Sequence, residues 1–396
     1  MRILHWYPNF LHGGAVTNTV MGLAGAQSRH GSHVVVAAAM PSSPRLDDPI
    51  APPAGVDILE WHPVRTLGIA GQGIRLVRPR EFAEVRAFEP DLVHVHGDFL
   101  LENLWVSRLF RCPIVISKQG FDLVALAKSK RGLKKAYLAA ESFLLKDHVW
   151  KFHALTHAEA EHLAAYFPGA SAYCVPQGPS VMVPDVSWPL AAMRTGGEQK
   201  LKFLYVGRLD VFQKGLDILL EAFQAAASRW GGGARMHLTL AGPDFRGGRT
   251  WLERRATELG IRDKVEFTGT LTGAQVRAAL GAADIYVQLS RYEGFSLSVV
   301  EALLASKPAV VTDATGPPQY QEIASLPHIR VVPPSREVAA QGMIETAEGL
   351  QRLTRAALSC HELVAEFFSW DRVARLHLNE YTDLVRAGAD SRPYIH

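Results

Sequence analysis

Glu293 and Glu301 are separated by seven residues in a segment, residues 283–303, whose pattern suits the binding of a phosphate group. An apolar run predicts a strand, Glu293 then falls in a short loop, and a second apolar run beginning at residues 296–298 predicts a helix. The first turn of a helix has unpaired N–H groups at the positive end of its dipole, which attract phosphate. Glu301 would then reach hydroxyl groups beside that phosphate. The spacing Ser298-x-x-Glu301 also fits a capping box, in which Glu301 would only bond to the helix backbone.

Residues 203–216 repeat this order of a strand, a glycine turn and a helix. Arg208 and Lys214 follow the strand, at the end where a ligand of a parallel sheet is expected. An arginine can make two parallel hydrogen bonds to a phosphate and a lysine supplies a compact charge, so the two side chains could bind a diphosphate. The alternative is a pair of solvated surface charges.

The elements that must position these residues alternate along the whole chain. The predicted strands are 34–37, 92–95, 114–116, 173–175, 201–206, 236–241, 265–267, 285–287 and 309–311, and the predicted helices are 15–29, 134–146, 216–227, 250–259 and 370–386. Strands that are apolar on both faces and alternate with helices are typical of a parallel sheet covered on both sides. A polar, glycine-containing stretch at residues 184–200 predicts a linker between two such α/β halves, with a ligand cleft between them.

The composition excludes several classes of protein. The length of 396 residues is too great for one core, and the 48% of hydrophobic residues indicates a globular protein of two or three domains. The net charge of +3 argues against a nucleic-acid binder. The three cysteines form no Cys-x-x-Cys pair, so neither a zinc knuckle nor a disulfide framework is expected. No signal peptide or membrane span is predicted, and we expect a soluble, cytoplasmic protein.

An ordered series of motifs resembles the retaining GT-B glycosyltransferases of family 4 over nearly the whole chain. The glutamate pair Glu293 and Glu301 is the strongest of them. The other matching segments are 12–14, 91–97, 207–209, 214–215, 240–243, 267–269 and 368–370. The resemblance implies an α/β fold of two Rossmann-like domains, with parallel sheets facing across a cleft and a C-terminal helix crossing back to the first domain. The implied domains are 1–190 for the acceptor, 191–370 for the nucleotide sugar and 371–396 for the helix.

The resemblance also implies a role for each matching residue. Arg208 and Lys214 would neutralise the diphosphate of the donor, and Glu293 would orient the sugar ring; these are the expected catalytic residues. Glu301 would hold the ribose hydroxyls, and backbone amides at Leu297 and Ser298 would cradle phosphate. The remaining expected donor contacts are Gly13, Gly14, Gly242, Gly269, Gly294, Phe295 and Ser296. Two cations and a helix terminus would replace a divalent metal, and the sequence contains no Asp-x-Asp, so no metal cofactor is expected.

The expected acceptor contacts are His96, Gln119 and Asp122. Many family members have a histidine in the loop after the fifth strand, where this chain has Gln119, and a glutamine cannot act as a base. We therefore expect a front-face mechanism in which the leaving phosphate takes the proton of the acceptor. For His96 a satisfied structural histidine is the alternative. His153 and His157 lack a third ligand, so no zinc site is expected there.

The function implied is the transfer, with retention, of a hexose from a UDP- or GDP-linked donor to a glycan, lipid-linked or small-molecule acceptor, in cell-surface polysaccharide or lipopolysaccharide biosynthesis. A non-catalytic nucleotide-sugar-binding subunit and the glycosylation of a secondary metabolite are alternatives. A dinucleotide-dependent oxidoreductase is disfavoured, because no Gly-x-Gly-x-x-Gly opens the first helix. The expected state is a monomer or homodimer without nucleic acid.

A basic cluster lies between residues 118 and 151. Its members are Lys118, Lys128, Lys130, Arg131, Lys134, Lys135, Lys146 and Lys151. Basic and apolar residues in alternation could lie on an anionic membrane surface or meet a lipid-diphosphate acceptor. A solvated helix face is the alternative.

Overall fold

Two compact units make up the chain, one from Met1–Met182 with Ser369–His396 and the other from Val183–Phe368. The computed structural model describes residues 1–7, 15–39, 51–61, 65–69, 72–76, 82–97, 101–118, 131–146, 148, 150–167, 169–180, 200–230 and 236–390. The resemblance implies domain breaks at residues 190 and 370, whereas the two units break after Met182 and Phe368.

Strands in both units are short and mostly apolar. They are β1 (Arg2–Tyr7), β2 (His33–Ala39), β3 (Val56–Trp61), β4 (Arg65–Ile69), β5 (Gln72–Leu76), β6 (Leu92–His96), β7 (Ile114–Ser117), β8 (Trp150–Ala154), β9 (Ala172–Cys174), β10 (Leu201–Val206), β11 (Met236–Ala241), β12 (Val265–Gly269), β13 (Ile285–Gln288), β14 (Ala309–Val311) and β15 (Ile329–Val331).

Helices follow most of these strands. They are α1 (Ala15–Arg29), α2 (Ala83–Ala87), α3 (Val106–Leu109), α4 (Arg131–Leu145), α5 (His157–Tyr166), α6 (Leu216–Arg229), α7 (Gly248–Glu258), α8 (Gly273–Ala282), α9 (Leu297–Leu304), α10 (Gln321–Ala324), α11 (Arg336–Glu348), α12 (Leu350–Ser359), α13 (His361–Phe367) and α14 (Trp370–Asp390). Among the described residues, no helix is both long and apolar enough to cross a membrane.

The first unit contains a seven-stranded parallel sheet in the order β3-β2-β1-β6-β7-β8-β9, beside a separate antiparallel hairpin of β4 and β5. Successive residues of a strand point to opposite faces, so the sheet is apolar on both sides. On one face Ile3 and Leu92 pack with residues of α1 and α14. On the other face Leu4 and Val93 pack in a core that includes Phe82. The parallel, doubly covered sheet that the sequence predicted is confirmed.

Helix α14 packs on α1 and so returns the end of the chain to the first unit, as the resemblance implied. Its first residue, Trp370, donates a hydrogen bond from Nε1 to the carbonyl of Pro179 at 3.0 Å. The indole lies against two glycines: a Cβ placed on Gly22 or Gly178 would stand 2.2 or 2.5 Å from its Cε2 atom. Glycine is therefore required at both positions for the helix to dock as it does.

The second unit contains a six-stranded parallel sheet in the order β12-β11-β10-β13-β14-β15. Phe203 and Ile285 face a core that also includes residues of α6 and α11. Leu204 and Tyr286 face the opposite core, which includes residues of α9 and α13. The strand order reverses between β10 and β13, and the carboxyl ends of strands at such a switch point form the usual ligand crevice of an open α/β sheet.

Candidate functional site

The loops after β10 and β13 leave the sheet of the second unit side by side at the switch point. Gly215, the residue before α6, has φ +61°, a left-handed conformation that favours glycine. A Cβ there would stand 2.0 Å from the carbonyl oxygen of Leu289, at the end of the neighbouring strand. Gly215 therefore allows the two loops to approach each other closely.

Arg291, in the loop after β13, forms hydrogen bonds to the loop after β10 and to the start of α6; we call this set of bonds the Arg291 clamp. Its two terminal nitrogen atoms donate to the two carboxylate oxygens of Asp217 at 2.8 and 2.7 Å. Its backbone N–H donates to the carbonyl of Gln213 at 2.9 Å, and Nη1 donates to the carbonyl of Phe212 at 2.8 Å. A bidentate arginine–carboxylate pair fixes distance and direction together. This clamp holds residues 290–294 against residues 212–217.

The clamp brings together two residues that the sequence singled out separately. Lys214 Nζ donates to Glu293 Oε1, and the side chains are only 14% and 8% exposed. The same oxygen accepts from Gln288 Nε2 and from Ser290 Oγ, each at 2.9 Å. None of the described residues donates to Glu293 Oε2. The carboxylate is thus fixed through one oxygen, and the second oxygen is available to a ligand.

Arg208 lies at the same carboxyl edge but is exposed. Its guanidinium stacks on the ring of Phe245 at 4.6 Å, and Nη2 donates to Gln213 Oε1 at 3.1 Å. The stacking orients a planar group that retains other N–H donors for a phosphate.

Helix α9 begins immediately after the Glu293 loop. Ser296 is its N-cap, with Oγ accepting from the N–H of Val299 at 3.4 Å. The capping box proposed for Ser298 and Glu301 is therefore wrong, because the helix begins two residues earlier. In the described part of the chain nothing accepts a hydrogen bond from the amides of Leu297 and Ser298, which is the arrangement a phosphate needs.

Glu301 lies one turn into α9 and is largely buried. Burial raises the pKa of its carboxyl group from the ordinary 4.5 to about 7, against the opposing effect of the positive charge of Arg277. The carboxyl therefore titrates near neutral pH. No hydrogen bond to its side chain is made by the residues that the structure describes, so this group too is available to a ligand.

The predicted glycine contacts of the second unit lie at neighbouring strand ends. The N–H of Gly242, after β11, donates to the carbonyl of Gly269, at the end of β12, at 2.8 Å. A Cβ on Gly242 would stand 1.9 Å from the carbonyl oxygen of Gly207. Gly294 and Phe295 continue the Glu293 loop, and the Phe295 ring packs on Tyr320 and Phe368.

Predicted residues of the first unit fall in two groups. Gly13, Gly14, Gln119 and Asp122 lie outside the described residues. His96 ends β6, is fully buried, and has Nε2 2.8 Å from Nδ1 of His5. The acceptor contact expected of His96 stays a prediction.

A chain of hydrogen bonds links buried histidines to α14. His153 Nε2 must donate, because its partner at 2.9 Å is the carbonyl of Val175. Its Nδ1 then accepts from the hydroxyl of Ser117 at 2.6 Å, and Ser117 Oγ accepts from His94 Nε2 at 2.6 Å. His94 Nδ1 finally accepts from the hydroxyl of Tyr381 on α14. Each imidazole in this chain is neutral.

Nitrogen atoms of His5, His94 and His96 lie within 4.8 Å of one another, a spacing that could hold a metal ion. Both nitrogens of His94 are already bonded, to Ser117 and Tyr381. His5 Nε2 bonds to Gln27 Oε1 at 2.7 Å. These ring nitrogens already have hydrogen-bond partners within the protein, so the three histidines are explained as part of a hydrogen-bonded network in the core.

Two lysines of the predicted basic cluster are paired with carboxylates, whereas Lys128 and Lys130 lie outside the described residues. Lys118 and Glu141 form a buried ion pair, with side chains 0% and 5% exposed, and Lys151 pairs with Glu380 at 2.7 Å. Neither lysine is a free surface charge, because each is neutralised by a carboxylate within its own unit. Lys146 remains exposed beside the Phe143 ring at 4.5 Å.

Gln288, Ser290 and the Arg291–Asp217 pair were not identified from the sequence. Gln288 could have been found, because an amide inside an otherwise apolar strand must find hydrogen-bond partners. Arg291 and Asp217 are 74 residues apart, and no local pattern joins them.

Comparisons with known proteins agree with this architecture. The model described as "Glycosyl transferases group 1" matches residues 194–349, and the "Glycosyl transferase 4-like domain" matches residues 14–177. A mannosylfructose-phosphate synthase of Agrobacterium fabrum is 35% identical over 134 residues, 33% of this chain and 29% of that protein. A GDP-mannose:cellobiosyl-diphosphopolyprenol alpha-mannosyltransferase of Xanthomonas oryzae is 27% identical over 281 residues, 70% of this chain and 69% of that protein.

Solved structures share the fold at low sequence identity. Sucrose-phosphate synthase from Thermosynechococcus elongatus superposes with a TM-score of 0.70 at 19% identity, covering 98% of this chain and 99% of that one. One family model matches each of the two Rossmann-like units. The chain belongs to the group 1 glycosyltransferases of GT-B fold.

Proposed function

We propose that the chain is a retaining, metal-independent hexosyltransferase that uses a UDP- or GDP-linked sugar. The observation that carries the proposal is the contact between Lys214 and Glu293 beside the unpaired amides of Leu297 and Ser298. A nucleoside-diphosphate sugar needs positive charge at the diphosphate and a hydrogen-bond acceptor at the sugar, and these residues supply both at one edge of the sheet.

In the proposed reaction the bond between the anomeric carbon and the diphosphate oxygen breaks. An acceptor hydroxyl forms its new bond to that carbon on the same face, and its proton passes to the departing phosphate oxygen. Negative charge develops on the diphosphate, where Lys214, Arg208 and the first amides of α9 stabilise it. Oε2 of Glu293 accepts from a sugar hydroxyl, and Glu301 accepts from the ribose hydroxyls.

The acceptor is proposed to be a glycan or a lipid-linked glycan of a cell-surface polysaccharide. The support is the name of the Xanthomonas relative, which transfers from GDP-mannose to cellobiosyl-diphosphopolyprenol. A small-molecule acceptor and a binding protein without turnover are the alternatives that activity measurements separate.

Thermal unfolding with a panel of nucleotide sugars tests the proposal directly. A donor at about 100 times its Kd stabilises the native state by about 2.7 kcal/mol, which raises the melting temperature. NMR of the product should show the anomeric configuration of the donor, and turnover should persist in EDTA. No stabilisation by any UDP- or GDP-sugar, an inverted product, or loss of turnover with the chelator would each contradict the corresponding part.

The exposed side of α4 supports peripheral contact with an anionic membrane. One face of this helix carries the exposed residues Ala136, Ala139, Phe143 and Lys146, and the first three of these are apolar. Sedimentation with phosphatidylglycerol vesicles should recover the protein at low salt, and Phe143→Ser should reduce that recovery. Equal recovery with neutral vesicles would contradict an electrostatic contribution.

A further inference from the structure

Gln288, at the end of β13, lies at the centre of the hydrogen bonds that surround the Glu293 carboxylate. The side chain is 1% exposed. Its Nε2 donates to Glu293 Oε1 at 2.9 Å and to Ser290 Oγ at 3.1 Å. Its Oε1 accepts from Ser296 Oγ at 3.0 Å and from Ser298 Oγ at 3.2 Å. The amide of Gln288 thus connects the carboxylate of Glu293, which is proposed to contact the sugar, with the first turn of α9, which is proposed to contact the phosphate.

The orientation of this amide is fixed by its partners. A carboxylate can only accept, so the nitrogen of Gln288 must face Glu293. On the oxygen side a third hydroxyl, that of Tyr286, donates at 2.8 Å. Burial raises the pKa of the Tyr286 hydroxyl above its ordinary value, which keeps it protonated and a donor.

We infer that Gln288 is a positioning residue for sugar transfer: it holds Glu293 with Oε2 directed away from the protein network and ties that carboxylate to the start of α9. The inference rests on the proposed function. An aliphatic side chain at this position would remove one donor from the buried Glu293 carboxylate and the shared acceptor of the three hydroxyl groups. Each such loss costs free energy in a buried site.

Two substitutions separate positioning from simple packing. Gln288→Met keeps a similar length but has neither donor nor acceptor, so kcat should fall about tenfold or more at every pH. Gln288→Glu keeps the acceptor oxygen; when protonated, its O–H replaces the amide donor to Glu293, and when ionised it repels Glu293. The ratio of its kcat to that of the wild type should therefore rise about tenfold as the pH falls from 8.5 to 6.

The measurement is hydrolysis of UDP-glucose and GDP-mannose, at saturating donor and from pH 6 to 8.5, with whichever donor the wild type turns over. Val310→Ala, a truncation in the core of the same unit, controls for loss of stability. It should leave kcat within about twofold, because Val310 packs in the core on the face of the sheet opposite to Tyr286. Circular dichroism before each assay verifies that every variant is folded.

Different outcomes contradict different claims. If the wild type turns over a donor, and Gln288→Met turns it over within about threefold of the wild-type rate, Gln288 does not position Glu293. A Gln288→Glu ratio that is flat with pH also overturns the inference, because a packing role has no reason to titrate in this range. If the wild type hydrolyses and binds no donor, the proposed function fails and the inference fails with it.

Discussion

In the proposed function, Lys214 and Glu293 form one residue pair that serves two parts of the donor, the diphosphate and the sugar. A lysine ammonium has three N–H donors, and Glu293 takes one of them, so Lys214 can bind a phosphate without releasing the carboxylate. The pair leaves little net charge in a site where both side chains are mostly buried, which limits the desolvation penalty. Binding of a diphosphate adds the negative charge that the lysine and the helix amides can still accommodate.

Glu301 should make donor binding depend on pH. Its carboxyl pKa is raised to about 7, so at pH 6 most of the sites carry a protonated carboxyl group, which has lost its negative charge and accepts more weakly from the ribose hydroxyls. We expect the Kd of a nucleotide sugar to rise about tenfold between pH 8 and pH 6 and to be flat above pH 8. Isothermal titration with an intact nucleotide sugar measures this, because its esterified diphosphate does not titrate in that range.

Glu301→Gln provides the matched control for that titration. The glutamine cannot ionise, so its Kd should resemble the low-pH value of the wild type at every pH. A wild-type Kd that does not change between pH 6 and pH 8 would show that the carboxylate form of Glu301 is not needed for binding.

At the scale of the element, sequence periodicity predicted those helices and strands whose pattern is set by neighbouring residues in the chain. Helix α1 was predicted at 15–29 and is observed at Ala15–Arg29. Strand β8 was missed because Lys151 and His153 interrupt its apolar pattern. Those polar residues are satisfied by Glu380 and by the Ser117 and Val175 bonds, and the first of these partners is 229 residues away. Local sequence does not reveal partners at such separations.

The candidate site likewise has features that a local motif predicts and a contact that only long-range packing determines. The motifs identified Lys214, Glu293 and the start of α9, because each is a local pattern at the end of a strand. They did not predict that Lys214 would contact Glu293. That contact depends on Gly215 passing close to Leu289 and on the Arg291 clamp, and both are consequences of packing between distant segments.

The docking of α14 should be sensitive to a single methyl group on α1. Gly22→Ala would place a Cβ 2.2 Å from the Trp370 ring, so the indole must move. We expect the free energy of unfolding to fall by about 1–3 kcal/mol, as overpacking usually does. The helix propensity of alanine alone would raise it by about 1 kcal/mol, so the sign of the change decides between the two effects. Urea unfolding followed by tryptophan fluorescence measures it.

Gly132→Ala is the control for Gly22→Ala. Gly132 also lies in a helix of the first unit, and a Cβ there meets no atom within 4 Å. Its free energy of unfolding should rise by up to about 1 kcal/mol. If Gly22→Ala and Gly132→Ala raised the free energy of unfolding by the same amount, the close contact between α1 and Trp370 would be contradicted.

At the scale of the whole molecule, buried imidazoles are distributed unequally between the units. His5, His94, His96, His153 and His377 in the first unit are all buried, and burial lowers the pKa of each. In the second unit His328 has a pKa lowered to about 4 by burial, and the more exposed His237 is also lowered. The stability of the first unit should therefore respond more strongly to acid.

The sign of that response follows from proton binding. A histidine with a pKa of 6.5 in the unfolded chain and about 4 in the native state, as for His5 and His153, binds protons only on unfolding between these values. The contribution of each such histidine to the free energy of unfolding is therefore fully present above about pH 6.5. It is lost as the pH decreases toward 4, and the loss is about 2 kcal/mol for each such histidine at pH 5.

Hydrogen exchange measured by mass spectrometry at pH 7, 6 and 5, corrected for intrinsic rates, should show β1 and β6 losing protection faster than β10 and β13. His33→Gln, which replaces an exposed histidine of the first unit, should not change this trend. Equal loss of protection in the two sheets would mean that the buried imidazole network takes up protons without unfolding.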